Sequence, residues 1–183
     1  MRQHKNIKPT ALKKNLKSIA KYNREEDINA VIEVNEPAVA YSFTSIQNIL
    51  GGSKFINLPL SNEMDMVLLA RQGIKKESML HVADILNISA EKMSNLVGVS
   101  HRNFQRKKNH DTLNVPVSEQ TIEIAQVIAK GVAVFGSQDR FLGWLNSPIV
   151  ALGNKMPMDL LDTTFGIQIL VRILGRIEYG VYS

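Results

Sequence analysis

Residues Ile88–Lys108 read ISAEKMSNLVGVSHRNFQRKK, a pattern that predicts two short helices separated by a tight turn. Ser89 is placed to cap the first helix. That helix carries an apolar stripe made of Met93, Leu96 and Val97. Gly98 can adopt the left-handed backbone that ends a helix, Val99 can fill the corner, and Ser100 can cap the second helix. The pattern is therefore that of a helix-turn-helix.

The second helix combines one apolar anchor, Phe104, with a polar and basic surface. The candidate DNA-binding residues are Ser100, His101, Arg102, Asn103, Gln105, Arg106, Lys107 and Lys108. Arg donates two hydrogen bonds to guanine, Asn and Gln pair with adenine, and Lys and Ser contact phosphates. We expect base contacts from Arg102, Asn103 and Arg106. Phosphate contacts are expected from Ser100, Lys107 and Lys108.

Two alternatives to DNA binding stay open for this helix. It could be an ordinary charged helix face, or the helix-turn-helix could be kept only as a dimerisation scaffold.

Charge is distributed unevenly along the chain, whose formal net charge is +5 and whose pI is about 9.5. Residues 1–24 contain eight Lys or Arg and no Asp or Glu, and residues 75–108 carry seven bases against three acids. Residues 109–183 are slightly acidic. A basic balance suits an anionic partner, although net charge alone does not separate DNA from RNA or from an acidic protein. The segregation predicts two binding surfaces of different character.

The composition argues against an enzyme, a metalloprotein and a membrane protein. Cysteine is absent, which suits a reducing compartment, so we expect a cytoplasmic protein. The four histidines have no HxxxH or HxH spacing, and no motif assembles a nucleophile, a base or a phosphate loop. We therefore predict no catalytic residue, no metal and no cofactor. No apolar run approaches the roughly 18 residues that a membrane span requires, and no signal sequence is recognisable.

The chain before the helix-turn-helix is less regular. Residues 1–24 fit either a short basic amphipathic helix or a solvated tail, and residues 28–60 fit one short hairpin or an irregular linker. Ser61 is placed to cap a helix that extends to about Gln72. A further helix is expected from about Lys76 to Leu86.

The chain after the helix-turn-helix is predicted to be helical. A long helix from about Glu119 to Phe135 would be capped by Ser118 and closed by Gly136. Ser137 is placed to cap a short helix that follows.

Two more helices are expected near the C-terminus. Pro157 suits the first position of a helix that extends to Leu161. The last helix, from about Thr164 to Tyr179, is apolar on two sides. Such a helix fits a dimer or partner interface, or simple burial within a small bundle.

Several short motifs follow one another in this third of the chain. They are Val134–Gly136 (VFG), Phe141–Leu145 (FLGWL), Asn146–Pro148 (NSP), Ala151–Gly153 (ALG), Met156–Leu161 (MPMDLL), Thr163, Gly166 and Leu174–Gly180 (LGRIEYG). Their order closely resembles the toxin-binding domain of the Xre/MbcA/ParS-type antitoxins, and the resemblance extends upstream to about residue 60. One departure is Asn154, where the family usually has a second glycine. Because Asn tolerates positive φ, the turn is still expected.

The resemblance implies an antitoxin of a type II toxin-antitoxin system, paired with a RES-domain toxin that consumes NAD. In such pairs the antitoxin C-terminus blocks the entrance to the toxin active site, the antitoxin dimerises, and many members repress their own operon. The toxin-binding residues that the resemblance implies are Arg176, Tyr179, Gly180, Val181, Tyr182 and Ser183. Tyrosine is a common interface anchor, and a chain ending three residues after Gly180 suits insertion into a cleft. Trp144 and Leu152 are expected in the core.

The expected architecture is mostly α. A basic N-terminal extension (1–59) precedes an Xre-like helix-turn-helix domain (60–115) and a small helical toxin-binding and dimerisation domain (116–183). The expected partners are operator double-stranded DNA, a RES-domain toxin and a second copy of the chain. The alternative is a stand-alone dimeric helix-turn-helix transcription regulator without a toxin partner. That hypothesis leaves the aromatic C-terminus unexplained.

Overall fold

The computed structural model describes residues 42–180 of the chain. The predictions for the basic segment 1–24 and for Val181, Tyr182 and Ser183 fall outside the described residues. The described part is mostly helical, as predicted, and belongs to one compact unit. Its α-helices are α1 (Phe43–Ile49), α2 (Glu63–Gln72), α3 (Lys76–Ile85), α4 (Ala90–Leu96), α5 (His101–Arg106), α6 (Val115–Phe135), α7 (Gln138–Leu145) and α8 (Thr164–Glu178). Short 3-10 helices lie at Gly52–Lys54, Val150–Leu152 and Pro157–Asp162.

Helix α6 is the axis around which the described residues pack. It is 21 residues long and buries apolar side chains on most of its sides, and α1, α2, α7 and α8 all contact it. Ile124 and Ile128 are fully buried within it. Asn114 caps the helix by accepting the Val117 N–H at 3.2 Å, and Gly136 ends it in the left-handed conformation. The predicted end at Gly136 is confirmed.

The prediction that Ser118 caps this helix is wrong, because α6 begins one turn earlier than Glu119, at Val115. Ser118 lies inside the helix and is buried, with its hydroxyl donating to the Asn114 carbonyl at 2.9 Å. The same oxygen accepts the Ile74 N–H at 3.1 Å. Ser118 therefore joins α6 to the chain between α2 and α3, a tertiary role that the local sequence does not reveal.

Helix α2 ends at Gln72, as predicted, but its cap is Asn62 and not Ser61. The Asn62 side chain accepts the Asp65 N–H at 3.1 Å, and the Asp65 carboxylate accepts the Asn62 N–H at 3.2 Å. This reciprocal capping box satisfies two amide donors, whereas Ser61 lies one residue too early to form it. The next helix, α3, occupies the predicted position.

The segment before α2 contains α1 and a 3-10 helix, so the predicted hairpin or irregular linker is wrong for its described part. Ser42 caps α1 by accepting the Ser45 N–H at 3.2 Å. Ile46 and Leu50 are fully buried one helical turn apart, and Ile56 continues the same core. Ile46 and Ile56 lie in the interior although β-branched residues favour strands, because tertiary packing outweighs that preference.

The C-terminal third follows the predicted order of elements. Ser137 caps α7, and Thr163 caps α8. The helix predicted to begin at Pro157 is present as a 3-10 helix. Trp144 and Leu152, which the sequence places in the core, are half-buried against its edge.

Two close contacts hold the C-terminal third in place, one within it and one to the rest of the core. Gly166 of α8 approaches the 3-10 helix so closely that a Cβ atom at this position would overlap the carbonyl oxygen of Leu160. The side-chain amide of Gln120 in α6 donates to the Leu96 and Leu161 carbonyls, at 3.0 Å in each case. Gln120 therefore joins the end of α4 to the C-terminal third.

Candidate nucleic-acid interface and C-terminal arm

Helices α4 and α5 are joined by a tight turn of the predicted kind. The Ser89 hydroxyl accepts the Lys92 N–H at 3.1 Å at the start of α4, and Gly98 has a φ of +69° after its end. Ser100 caps α5 by accepting the Asn103 N–H at 3.4 Å. All three local predictions are confirmed, and the geometry is that of a helix-turn-helix.

One side of α5 faces the core and the other faces solvent. Phe104 is 2% exposed and anchors the helix, whereas Arg102, Asn103 and Arg106 are exposed. Within residues 42–180, these three side chains have no hydrogen-bonding or charged partner. Their donors are therefore available to a ligand, which is what base recognition requires.

Several of the other candidates are already engaged within the protein. His101 Nε2 and Gln105 Nε2 lie 2.7 Å apart across one turn of α5, and Lys107 Nζ donates to the Thr112 carbonyl at 3.1 Å. Ser100 is committed to its cap. Lys107 and Lys108 nevertheless remain exposed beside the end of the helix. The division into base-contacting and phosphate-contacting residues stays a prediction.

Sequence reasoning missed Lys76, the first residue of α3. Its side chain is buried, and its Nζ donates to the Lys107 carbonyl at 2.7 Å. The local sequence does not distinguish this lysine from a solvated one, because the groups that it contacts lie about 30 residues further along the chain.

The end of α8 carries the described part of the C-terminal arm, by which we mean residues 176–183. Arg176 is exposed in the last turn, and Tyr179, at the C-cap, is 49% exposed. Gly180 has a φ of +67°. The structure thus brings these three residues together at one helix end. The remaining arm residues lie outside the described range.

Three large apolar side chains elsewhere in the C-terminal third are exposed, a feature that motif reasoning did not anticipate. Val150 is 86% exposed, Phe165 is 81% exposed and Met156 is 43% exposed. The buried face of α8 is formed by Ile167, Leu170 and Leu174, and Phe165 is not part of it. They are candidates for contact with another protein, since large apolar patches on a surface mark such contacts.

A shallow groove of about 260 Å³ lies between α2 and α6, and Glu63, Glu119 and Glu123 line it. Burial raises the pKa of Glu123, and the nearby Glu119 charge raises it further. A hydrogen bond from Thr164, 3.2 Å from the Glu123 carboxylate, lowers the pKa of Glu123.

Among the described residues, no group of His, Asp and Glu is placed to hold a metal ion. No helix in the same range is long and apolar enough to cross a membrane.

Two family models match the chain. One is described as the antitoxin Xre-like helix-turn-helix domain and matches residues 65–126, which include α3, α4 and α5. The other is described as the antitoxin Xre/MbcA/ParS C-terminal toxin-binding domain and matches residues 130–180, which include α7 and α8. The exposed face of α5 lies in the first region, and the end of α8 lies in the second.

Individual proteins show the same similarity. The chain is 27% identical over 130 residues to "Antitoxin Xre" of Yersinia enterocolitica serotype O:8 / biotype 1B, covering 70% of this chain and 88% of that protein. It is 23% identical over 133 residues to the "Prs ADP-ribosylating antitoxin" of Sphingobium sp. strain YBL2, covering 67% and 84%. An "Antitoxin Xre" of Photorhabdus laumondii is 28% identical over 90 residues, covering 48% and 61%.

Proposed function

This chain belongs to the Xre/MbcA/ParS-type antitoxins, and on that premise we propose that it neutralises a RES-domain toxin and represses its own operon. Both actions are binding events, and neither requires catalysis by this chain. The observation that carries the proposal is the presence of two separate surfaces, the exposed face of α5 and the end of α8, in two differently matched regions. We assign residues 60–115 to DNA and residues 116–183 to the toxin.

The proposed DNA contacts follow from the exposure of α5. Arg102 and Arg106 project from the side opposite the buried Phe104 and Asn103 is exposed beside them, so all three can enter the major groove while the anchor stays in the core. Lys107 and Lys108 follow at the end of the helix, where they would meet phosphates. Operator binding of this kind near the gene's own promoter would make the antitoxin a repressor.

The proposed toxin contacts centre on the C-terminal arm. Arg176 offers a planar cation suited to a carboxylate, and Tyr179 and Tyr182 combine a large apolar ring with a polar tip. The name of the Sphingobium relative connects that protein with ADP-ribosylation, a chemistry that takes ADP-ribose from NAD. That connection supports a toxin whose active site accommodates NAD, as a RES-domain toxin does. The arm would block the entrance to that site.

The exposed apolar residues of the C-terminal third support a toxin interface that extends beyond the C-terminal arm. Phe165 and Val150 lie within the region matched to a toxin-binding domain, and we include them in the proposed toxin surface. We also propose a homodimer, because helix-turn-helix proteins commonly read two half-sites that are one turn of DNA apart.

A direct test is to co-express the full chain with the product of the neighbouring gene. We expect that gene to encode a RES-domain protein, growth of the cells to be rescued, and the two proteins to co-purify. A gel-shift titration with DNA from upstream of the gene should show a complex. A stand-alone regulator would bind that DNA but would neither rescue growth nor retain the neighbouring protein, and this outcome would overturn the antitoxin proposal.

A further inference from the structure

The ammonium group of Lys76 is buried where α3 begins. The residue is 8% exposed, and lysine is almost never buried to this extent unless its charge has partners. Within the described range no carboxylate pairs with it. Two other groups stabilise the charge of Lys76, one in α5 and one in the residue that follows α5.

The first group is the carbonyl of Lys107, which accepts a hydrogen bond from Lys76 Nζ at 2.7 Å. This carbonyl follows the last turn of α5, where backbone acceptors have no partner within the helix. The second group is the ring of Phe104, whose centroid lies 4.5 Å from the same nitrogen. One buried cation thus contacts both the core anchor of α5 and its C-terminal end.

The backbone around Lys76 extends this contact along the chain that leaves α5. The Lys76 N–H donates to the Asp111 carbonyl and the Glu77 N–H donates to the Asn109 carbonyl, each at 3.0 Å. Lys75 forms an isolated antiparallel bridge with Thr112. The start of α3 therefore holds the whole segment from Lys107 to Thr112, which carries the two lysines that follow α5.

We propose that Lys76 is a positioning residue for DNA binding, which holds the C-terminal end of α5 so that Lys107 and Lys108 meet the phosphate backbone. The inference rests on the DNA-binding function proposed above. Helix α5 has six residues and is too short to keep its own end in place. A buried cation that touches α5 only at its anchor and its end sets the direction of the lysines without touching DNA itself.

The variant Lys76→Met tests this role, because methionine keeps most of the apolar stem and removes both the donor and the charge. The matched control is Lys155→Met, which removes one charge from an exposed lysine distant from α5 in the sequence. Binding is measured by fluorescence anisotropy at several salt concentrations, well below the melting temperature of each protein. The probes are a duplex from upstream of the gene and a random duplex of equal length.

We expect Lys76→Met to lower the affinity for the upstream duplex about tenfold and to reduce the slope of log K against log salt by about 1–2, roughly one unit for each lysine lost from a phosphate. General destabilisation would lower the active fraction equally for both duplexes and leave that slope unchanged. Equal slopes in the variant, the control and the wild type would therefore overturn the inference. Failure of the wild type to bind either duplex would instead overturn the DNA-binding proposal, and this inference with it.

A measurement on the wild type decides the matter if Lys76→Met does not fold. The Lys107 N–H donates to the Phe104 carbonyl, and the N–H groups of Lys108 and Asp111 donate within the segment that Lys76 holds. Hydrogen exchange in the full chain should show them as protected as the amides of α4. Exchange at the rate of a frayed helix end would show that Lys76 does not hold the segment, and would overturn the inference.

Discussion

Helix α5 and the end of α8 carry the two proposed binding surfaces, and the fold holds them in opposite ways. Helix α5 is six residues long, yet Phe104 anchors its middle, Ser100 caps its start and Lys76 holds its end. Helix α8 is fifteen residues long and is anchored through its first three turns by buried residues. Its last turn carries an exposed Arg176 and has no buried residue.

The difference corresponds to what each surface must do. Recognition of base edges requires side chains placed to within about 0.5 Å, so a short helix needs support at both ends. Insertion into a partner protein requires residues that extend beyond the core, so the supporting contacts belong at the base of the helix and not at its tip. The two surfaces should therefore fail independently and for different reasons.

Deletion of Tyr179–Ser183 should have the largest effect, since it removes most of the C-terminal arm. We expect complete loss of growth rescue and of toxin co-purification, with unchanged affinity for the upstream duplex. The melting temperature should change little, because the deleted residues lie beyond the last buried residue of α8, Leu174. A parallel loss of DNA affinity would show that the two surfaces are not independent.

The base of α8 is tested by Gly166→Ala. The added methyl group would overlap the Leu160 carbonyl, and because a backbone atom cannot move aside cheaply, we expect a loss of about 1–3 kcal/mol in the free energy of unfolding. The control is Gly143→Ala in α7, where the added atom meets nothing within 4 Å. That change should be neutral or stabilising by up to about 1 kcal/mol. Chemical denaturation measures both, and equal stabilities would show that α8 has room to shift at its base.

On the DNA side, Arg102→Ala should weaken binding to the upstream duplex by about 1–3 kcal/mol if the guanidinium contacts guanine through two hydrogen bonds. Toxin co-purification and the melting temperature should not change, because Arg102 is exposed and forms no hydrogen bond or ion pair with another described residue. Arg140→Ala removes an exposed arginine from α7 and serves as the control. Equal affinity of both variants in a gel-shift titration would assign Arg102 to solvent.

The smallest effect is expected at Glu123, which accepts a hydrogen bond from the first residue of α8. Because its pKa is raised in the folded state, the folded protein binds the proton more tightly than the unfolded chain does. Stability should therefore fall as the pH rises from the ordinary glutamate pKa through the raised one.

Glu123→Gln removes this penalty and keeps an acceptor for Thr164. We expect its melting temperature to exceed that of the wild type by roughly 1–2 °C at pH 8 and to match it at pH 4. Glu119→Gln, which removes only the neighbouring charge, should give a smaller gain. A lower melting temperature for Glu123→Gln at pH 8 would mean that the ionised carboxylate is stabilising.

Local chemistry made the helix-turn-helix predictable. Ser89, Gly98 and Ser100 act within three or four residues along the chain, and their roles are set by backbone geometry that the sequence encodes directly. The order of the C-terminal motifs likewise indicated the family. These features require no knowledge of what packs against them.

The errors have a common cause in tertiary structure. Ser118 satisfies the local rule for a cap, but its hydroxyl oxygen accepts the N–H of Ile74, which lies 44 residues away. The segment predicted as a hairpin or an irregular linker contains a helix, Phe43–Ile49, which packs against α6. Lys76 looks like a solvated lysine until α5 is seen beside it. In each case the deciding partner is distant in sequence.

Helix α6 crosses the gap between the two family matches, since residues 127–129 fall between 126 and 130. All three of these residues are buried. A hybrid antitoxin joined at this gap would combine two parts of α6 whose buried side chains come from different proteins, so we expect it to lose stability unless those side chains match in volume. Helix α6 also contacts the preceding region, because Gln120 donates to the Leu96 carbonyl and Ser118 accepts the Ile74 N–H. One helix therefore supports the elements that carry both proposed binding surfaces.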